Sequence, residues 1–157
     1  MFDSWEPDLP SLEAFDDPKQ RKYYASRPNP DASKQQSLAF YAVSTGDQTT
    51  LQLMVDNGWE ITKVSDSASK TVLHRAAQVG NTPAVALLLK AGAKVDAVTQ
   101  WKETPLHMAA RNGKLACVKA LVESGASLDK QTIGGDTALV LSRKYKMASI
   151  EEYLSGL

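Results

Sequence analysis

From Ser37 onward the apolar residues fall in short stripes, three to four positions apart, and most stripes are closed by a glycine. In "TVLHRAAQVGN", from Thr71, Leu73, Ala76 and Ala77 share one helical face, as do Leu106, Ala109 and Ala110 in "TPLHMAARNGK", from Thr104. Thr71 and Thr104 suit N-caps, whose hydroxyls accept from free backbone N–H groups, and Pro105 at the first helical position sacrifices no hydrogen bond. The small alanines allow close approach of neighbouring helices. Gly80 and Gly113 then end these helices, where a left-handed residue is easiest for glycine. A second stripe follows each, Val85, Leu88 and Leu89 or Leu115, Val118, Leu121 and Val122, and Gly58, Gly92 and Gly125 terminate the second helices. The pattern predicts a unit of helix, turn, helix and loop.

The unit recurs. "SLAFYAVSTGD" from Ser37, "TVLHRAAQVGN" from Thr71, "TPLHMAARNGK" from Thr104 and "TALVLSRKYKM" from Thr137 start 34, 33 and 33 residues apart. The T-P-L-H-x-A-A pattern, the glycine after it and a second helix ending in G-A resemble ankyrin repeats over roughly residues 34–157, most strongly in the two central copies. The resemblance implies an all-α fold, an ankyrin-repeat solenoid of helix-turn-helix units joined by hairpin-like loops. The repeats then fall at about 34–66, 67–99, 100–132 and 133–157, with residues 1–33 as an N-terminal extension. One unit cannot bury its own apolar face, so stability comes from stacking. The end copies depart from the pattern. The first reads "SLAFYAV", and the last puts Lys146 where the others have Gly46, Gly80 or Gly113, which leaves room for a different inter-helix turn.

His74 and His107 occupy equivalent places and invite a metal or catalytic reading. Stacked helices lie about 8–10 Å apart, whereas two imidazoles on one zinc need nitrogens within about 3.3 Å, from Zn–N bonds of roughly 2.0–2.1 Å. The resemblance implies a structural role instead, with each histidine bonded to the threonine three residues before it and tethering neighbouring loops. The sequence has no phosphate-binding, dinucleotide, nucleophile-elbow or H-E-x-x-H motif. Cys117, the one cysteine, falls inside a second helix, where a thiol acts as a small hydrophobe. No catalysis, metal or cofactor is expected.

In ankyrin proteins the loop tips and the open side of the first helices line a concave groove that binds partners. Carried over, this gives loops 66–70, 99–103 and 132–136 and an open-face column of Tyr41, Arg75, Met108 and Leu141. The candidate partner-binding residues are Lys70, Arg75, Gln78, Gln100, Trp101, Lys102, Glu103, Met108, Arg111, Asn112, Ile133, Lys144 and Tyr145. Trp101 either anchors a partner or folds against a neighbouring loop; tryptophan and arginine are enriched among residues that dominate binding energy. Lys70, Arg75, Lys102, Arg111 and Lys144 outnumber Asp66, Glu103 and Asp136, so a protein partner with a mildly acidic surface is expected. The resemblance implies a non-catalytic protein–protein interaction module, first a scaffold, adaptor or assembly subunit, alternatively a stoichiometric inhibitor or regulator of an enzyme.

Overall charge changes this picture little. Eighteen basic residues balance 18 acidic ones, which provides no global attraction to nucleic acid or an anionic membrane. The balance is uneven, however. Residues 1–18 contain six acids and no base, leaving 18 bases and 12 acids in the body. No apolar run is long enough to span a bilayer and no secretory or transit signal is seen, so no membrane insertion and a cytoplasmic or nuclear location are expected. Five prolines limit regular structure in residues 1–33, although Asp17 and Pro18 suit the start of a helix of about two turns. Three uses of this extension compete: capping the first repeat around Phe40, Tyr41 and Val43, binding a second protein, or disorder. Trp59 either anchors the extension or plugs the first loop.

Overall fold

The computed structural model describes residues 17–26 and 32–157. Their helices are α1 (Pro18–Ala25), α2 (Ala32–Thr45), α3 (Gln48–Asp56), α4 (Val72–Val79), α5 (Thr82–Lys90), α6 (Pro105–Arg111), α7 (Leu115–Glu123), α8 (Ala138–Lys144) and α9 (Ala148–Ser155). The first helices α2, α4, α6 and α8 stack in one row, and the second helices α3, α5, α7 and α9 form the other. The core lies between the rows and between successive copies. Leu73, Ala76, Ala77, Leu88, Leu106, Ala109, Ala110 and Leu121 are essentially inaccessible to solvent there. The fold is an all-α repeat solenoid.

Local chemistry sets the helix ends. Thr71, Thr104 and Thr137 have extended backbones, and their hydroxyls accept from the N–H of His74, His107 and Val140. Asp47 and Asn81 cap α3 and α5 in the same way. Asn81 also donates to the carbonyl of Val43 at 3.1 Å, so this cap joins two repeats.

The turn between α8 and α9 repeats the geometry of its predecessors, although Lys146 replaces glycine. Gly46, Gly80 and Gly113 have φ of 76°, 82° and 73°, and Lys146 adopts 58°. Neighbouring copies show what a side chain meets at this turn. A Cβ on Gly80 would come within 2.7 Å of the Lys114 side chain, and one on Gly113 within 2.9 Å of Met147 Sδ. Lys114 and Met147 occupy the same place in successive copies, each reaching back over the turn glycine of the copy before.

Both ends of the stack differ from its middle. Where the preceding copies bury Val43, Ala77 and Ala110, the last has exposed Arg143; where they bury Leu51, Val85 and Val118, it has Glu151. The pair is bonded, Arg143 Nε to Glu151 Oε1 at 2.9 Å, which gives the terminal face a polar surface. At the other end, α1 packs on α3 and extends the second-helix row by one helix. Asp17 caps α1, Arg21 pairs with Asp47 at 3.0 Å and donates to the Tyr41 hydroxyl at 3.1 Å, and Asn57 donates to the Ala25 carbonyl. Trp59 is buried in the core cluster that includes Ala25. Helix α2 runs through the expected boundary at residues 33 and 34 and is longer than the other first helices, with Ser37 inside it and not at its cap. The use of residues 1–16 lies outside the described residues.

Candidate binding groove

The groove is built on the loops that precede each first helix. In each, one polar side chain holds the turn from within: Asp66 accepts from the N–H of Ala68 and Lys70, Thr99 from Trp101 and Glu103, and Thr132 from Asp136. Ser69 and Lys102 take left-handed conformations at the turn, where the third loop has Gly135. The loops are joined edge to edge, by Gln100 N–H to the Ala68 carbonyl at 3.0 Å and Ile133 N–H to the Trp101 carbonyl at 2.9 Å. This backbone ladder fixes the spacing of the side chains that the loops carry.

The histidines fasten the loops from below. His74 Nδ1 accepts from the Thr71 N–H at 3.1 Å and lies 2.8 Å from its hydroxyl, while Nε2 donates to the Glu103 carbonyl at 2.9 Å. His107 repeats this with Thr104 and the Lys130 carbonyl, at 3.0 and 2.9 Å. Because a backbone amide can only donate, Nδ1 is the acceptor and the proton resides on Nε2. Burial pushes both imidazoles below their usual range near 6.5, and the bonds to Glu103 and Lys130 only partly oppose it. Both ring nitrogens are engaged in structure, so neither histidine offers a base or metal ligand without undoing a tether. Burial likewise pushes the Cys117 thiol up, against the Thr82 hydroxyl 3.3 Å away and Lys114, which keeps it protonated.

The candidate contact residues separate by exposure. Gln100, Trp101, Lys102, Ile133, Lys144 and Tyr145 are exposed, Ile133 most of all at 71% and Trp101 at 45%. Lys70, Arg75, Gln78, Arg111 and Asn112 are half-buried. Met108 and Glu103 are buried, contrary to their expected place on an open surface, and Leu141 is also covered. Arg111 accounts for the first two: Nη1 pairs with Glu103 at 2.6 Å while Nη2 lies 3.3 Å from Met108 Sδ, so the guanidinium roofs the thioether. Asn112 donates to the Met108 carbonyl at 2.7 Å and finishes α6. Met108, Glu103 and Asn112 therefore shape the groove floor.

The sequence reading missed a register of paired side chains. Positions eight apart, one closing the loop and one ending the first helix, face each other in three successive copies: Lys70 with Gln78, Glu103 with Arg111, and Asp136 with Lys144. The 33-residue spacing of both members was the available signal. Arg111 and Lys144, two of the five cations expected to attract an acidic partner, already have carboxylates. The positive excess therefore lies on Lys70, Arg75 and Lys102.

Two recesses open along this surface. One, about 540 Å³, lies between α2 and the second copy's loop, with Phe40, Tyr41, Lys70 and Arg75 among its walls. The other, about 390 Å³, has Trp101 and Ile133 as apolar sides over Met108, with Lys70 and the Glu103–Arg111 pair at its rim. Lys70 borders both. Among the described residues no helix is long and apolar enough to cross a membrane. A family model for ankyrin repeats, a motif present in many copies, matches residues 39–89 and 73–122. A search of curated proteins finds no match to the chain.

Proposed function

The chain belongs to the ankyrin-repeat family, whose members are generally protein–protein interaction modules, and we propose that it binds a protein partner through the concave surface formed by its loops and first helices. The observation that carries this reading is the half-exposed Trp101 beside the exposed Ile133, over a recess with a Met108 floor and a charged rim. Exposed aromatic and aliphatic side chains on a rigid backbone suit a binding hot spot, because little conformational entropy is lost when they are covered. The contact set is Lys70, Arg75, Gln78, Gln100, Trp101, Lys102, Arg111, Ile133, Lys144 and Tyr145, supported from below by Glu103, Met108 and Asn112. The excess of cations on Lys70, Arg75 and Lys102 favours a mildly acidic partner surface.

The role is that of a scaffold, adaptor or assembly subunit without catalysis. Support comes from the two histidines, whose ring nitrogens serve structure. Trp101→Ala with Ile133→Ala, both exposed side chains, should retain helicity and melting temperature and lose partner capture; undiminished capture would sink the groove assignment. Assay of a captured enzyme with and without the protein distinguishes the alternative, a stoichiometric inhibitor, from a stable co-purifying assembly.

A further inference from the structure

The regular pairing along the groove breaks at one place. Where later copies set a carboxylate against a base, the second copy sets Lys70 against the Gln78 amide, and Arg75 reaches that same oxygen, each at 3.4 Å. Arg75 also donates to the Ser44 hydroxyl at 2.9 Å. The carboxylate lining this recess, Asp66, uses Oδ1 to hold the backbone N–H groups of Ala68 and Lys70. Two cations thus contact neutral oxygens, with one carboxylate in the same lining, beside the apolar surface of Phe40 and Tyr41. Such a recess suits an acidic segment with interleaved aromatic or aliphatic residues: carboxylates form charge-assisted hydrogen bonds, and an apolar neighbour covers the rings.

The chain itself contains such a segment. Residues 1–16 carry Asp3, Glu6, Asp8, Glu13 and Asp16 without a lysine or arginine, interleaved with Phe2, Trp5, Leu9, Leu12 and Phe15. The segment leads into α1, whose Arg21 touches the Tyr41 hydroxyl, so its tether point lies beside the recess. Sixteen extended residues reach up to about 55 Å, whereas the cations lie on the adjacent repeat, about 10 Å along the stack. Such a tether holds a segment at roughly millimolar effective concentration.

We propose that this acidic N-terminal segment is an intramolecular occupant of the recess at Phe40, Tyr41, Lys70 and Arg75, and that it competes there with an acidic protein partner. The competition rests on the groove being the partner surface; the occupancy does not. The test uses the full-length chain, isotope-labelled, with a nitroxide on Ser11→Cys; the buried Cys117, its thiol pushed up by desolvation, stays unmodified. The expected result is paramagnetic loss of the amide signals of Phe40, Ser44, Lys70 and Arg75, recovered by Lys70→Glu with Arg75→Glu while the Thr104 and Thr137 amides keep their shifts. Full intensity at those positions, or loss confined to residues around Trp59, would overturn the proposal. Loss that persists undiminished when nitroxide and isotope are on different molecules would overturn it too, and assign the recess to a second copy. A partner that still requires Trp101 while residues 1–16 leave the recess empty would refute the segment and spare the groove.

Discussion

The turn glycines and Lys146 allow one set of substitutions to separate backbone strain from packing. Lys146 has φ of 58°, a conformation that costs an L-residue about 1–2 kcal/mol. Lys146→Gly removes that cost but adds about 0.4–1 kcal/mol of chain entropy to the unfolded state. The net expectation is a stabilisation of about 0.5–1 kcal/mol, or roughly 1–4 °C in melting temperature for a chain of this size. The reverse change at Gly46 encounters the same strain and nothing else, because a Cβ there meets no atom within 4 Å. At Gly113 the Cβ comes within 2.9 Å of Met147 Sδ, the far end of a flexible side chain that must swing aside, so Gly113→Ala adds about 0.5 kcal/mol for the displaced rotamer. Thermal melts by circular dichroism should therefore rank Lys146→Gly above wild type, then Gly46→Ala, then Gly113→Ala. A melting temperature lowered by Lys146→Gly, or equal losses for the two alanines, would refute the reasoning.

Other consequences follow from the tethers and the stack ends. Since both histidines have folded-state pKa values below the ordinary 6.5, the unfolded chain binds more protons, and their contribution is fully present above about pH 6.5 and lost as pH falls through the folded values. The urea midpoint should drop between about pH 7 and 5.5, less steeply in His107→Gln; a flat profile in wild type would contradict the tethered, neutral imidazoles. Arg143→Ala with Glu151→Val restores on the last repeat the apolar surface that inner copies bury, and sedimentation should show concentration-dependent self-association. A variant that stays monomeric would mean that the pair does not keep the stack end soluble.

Much of this architecture is legible in the sequence because each repeat restates it. Thr71, Thr104, Gly80, Gly113 and the alanine faces obey local rules of capping and periodicity, and recurrence at 33–34 residues turns weak local signals into a register. What escapes is what depends on one side chain lying over another. Met108 occupies the column of Tyr41 and Arg75, yet the Arg111 guanidinium roofs it, an arrangement that needs Glu103 eight positions earlier. Lys146 suggested an altered turn, yet it takes the same left-handed conformation as Gly46, Gly80 and Gly113, which a non-glycine residue can adopt at a modest cost. The charge count was likewise correct in number and incomplete in effect, since Asp136 holds Lys144 with two contacts of 2.7 Å.

The central claim is that the concave groove, and not the outer row of second helices, binds the partner. Its most direct test is titration of a captured partner against two double variants, Trp101→Ala with Ile133→Ala on the groove, and Lys90→Ala with Glu123→Ala on the outer recess between α5 and α7. The groove variant should lose about 30-fold or more in affinity, the consequence of removing a hot spot of about 2 kcal/mol, at unchanged melting temperature. The outer variant should bind like wild type. Undiminished binding by the groove variant, or a loss confined to the outer one, would contradict the account.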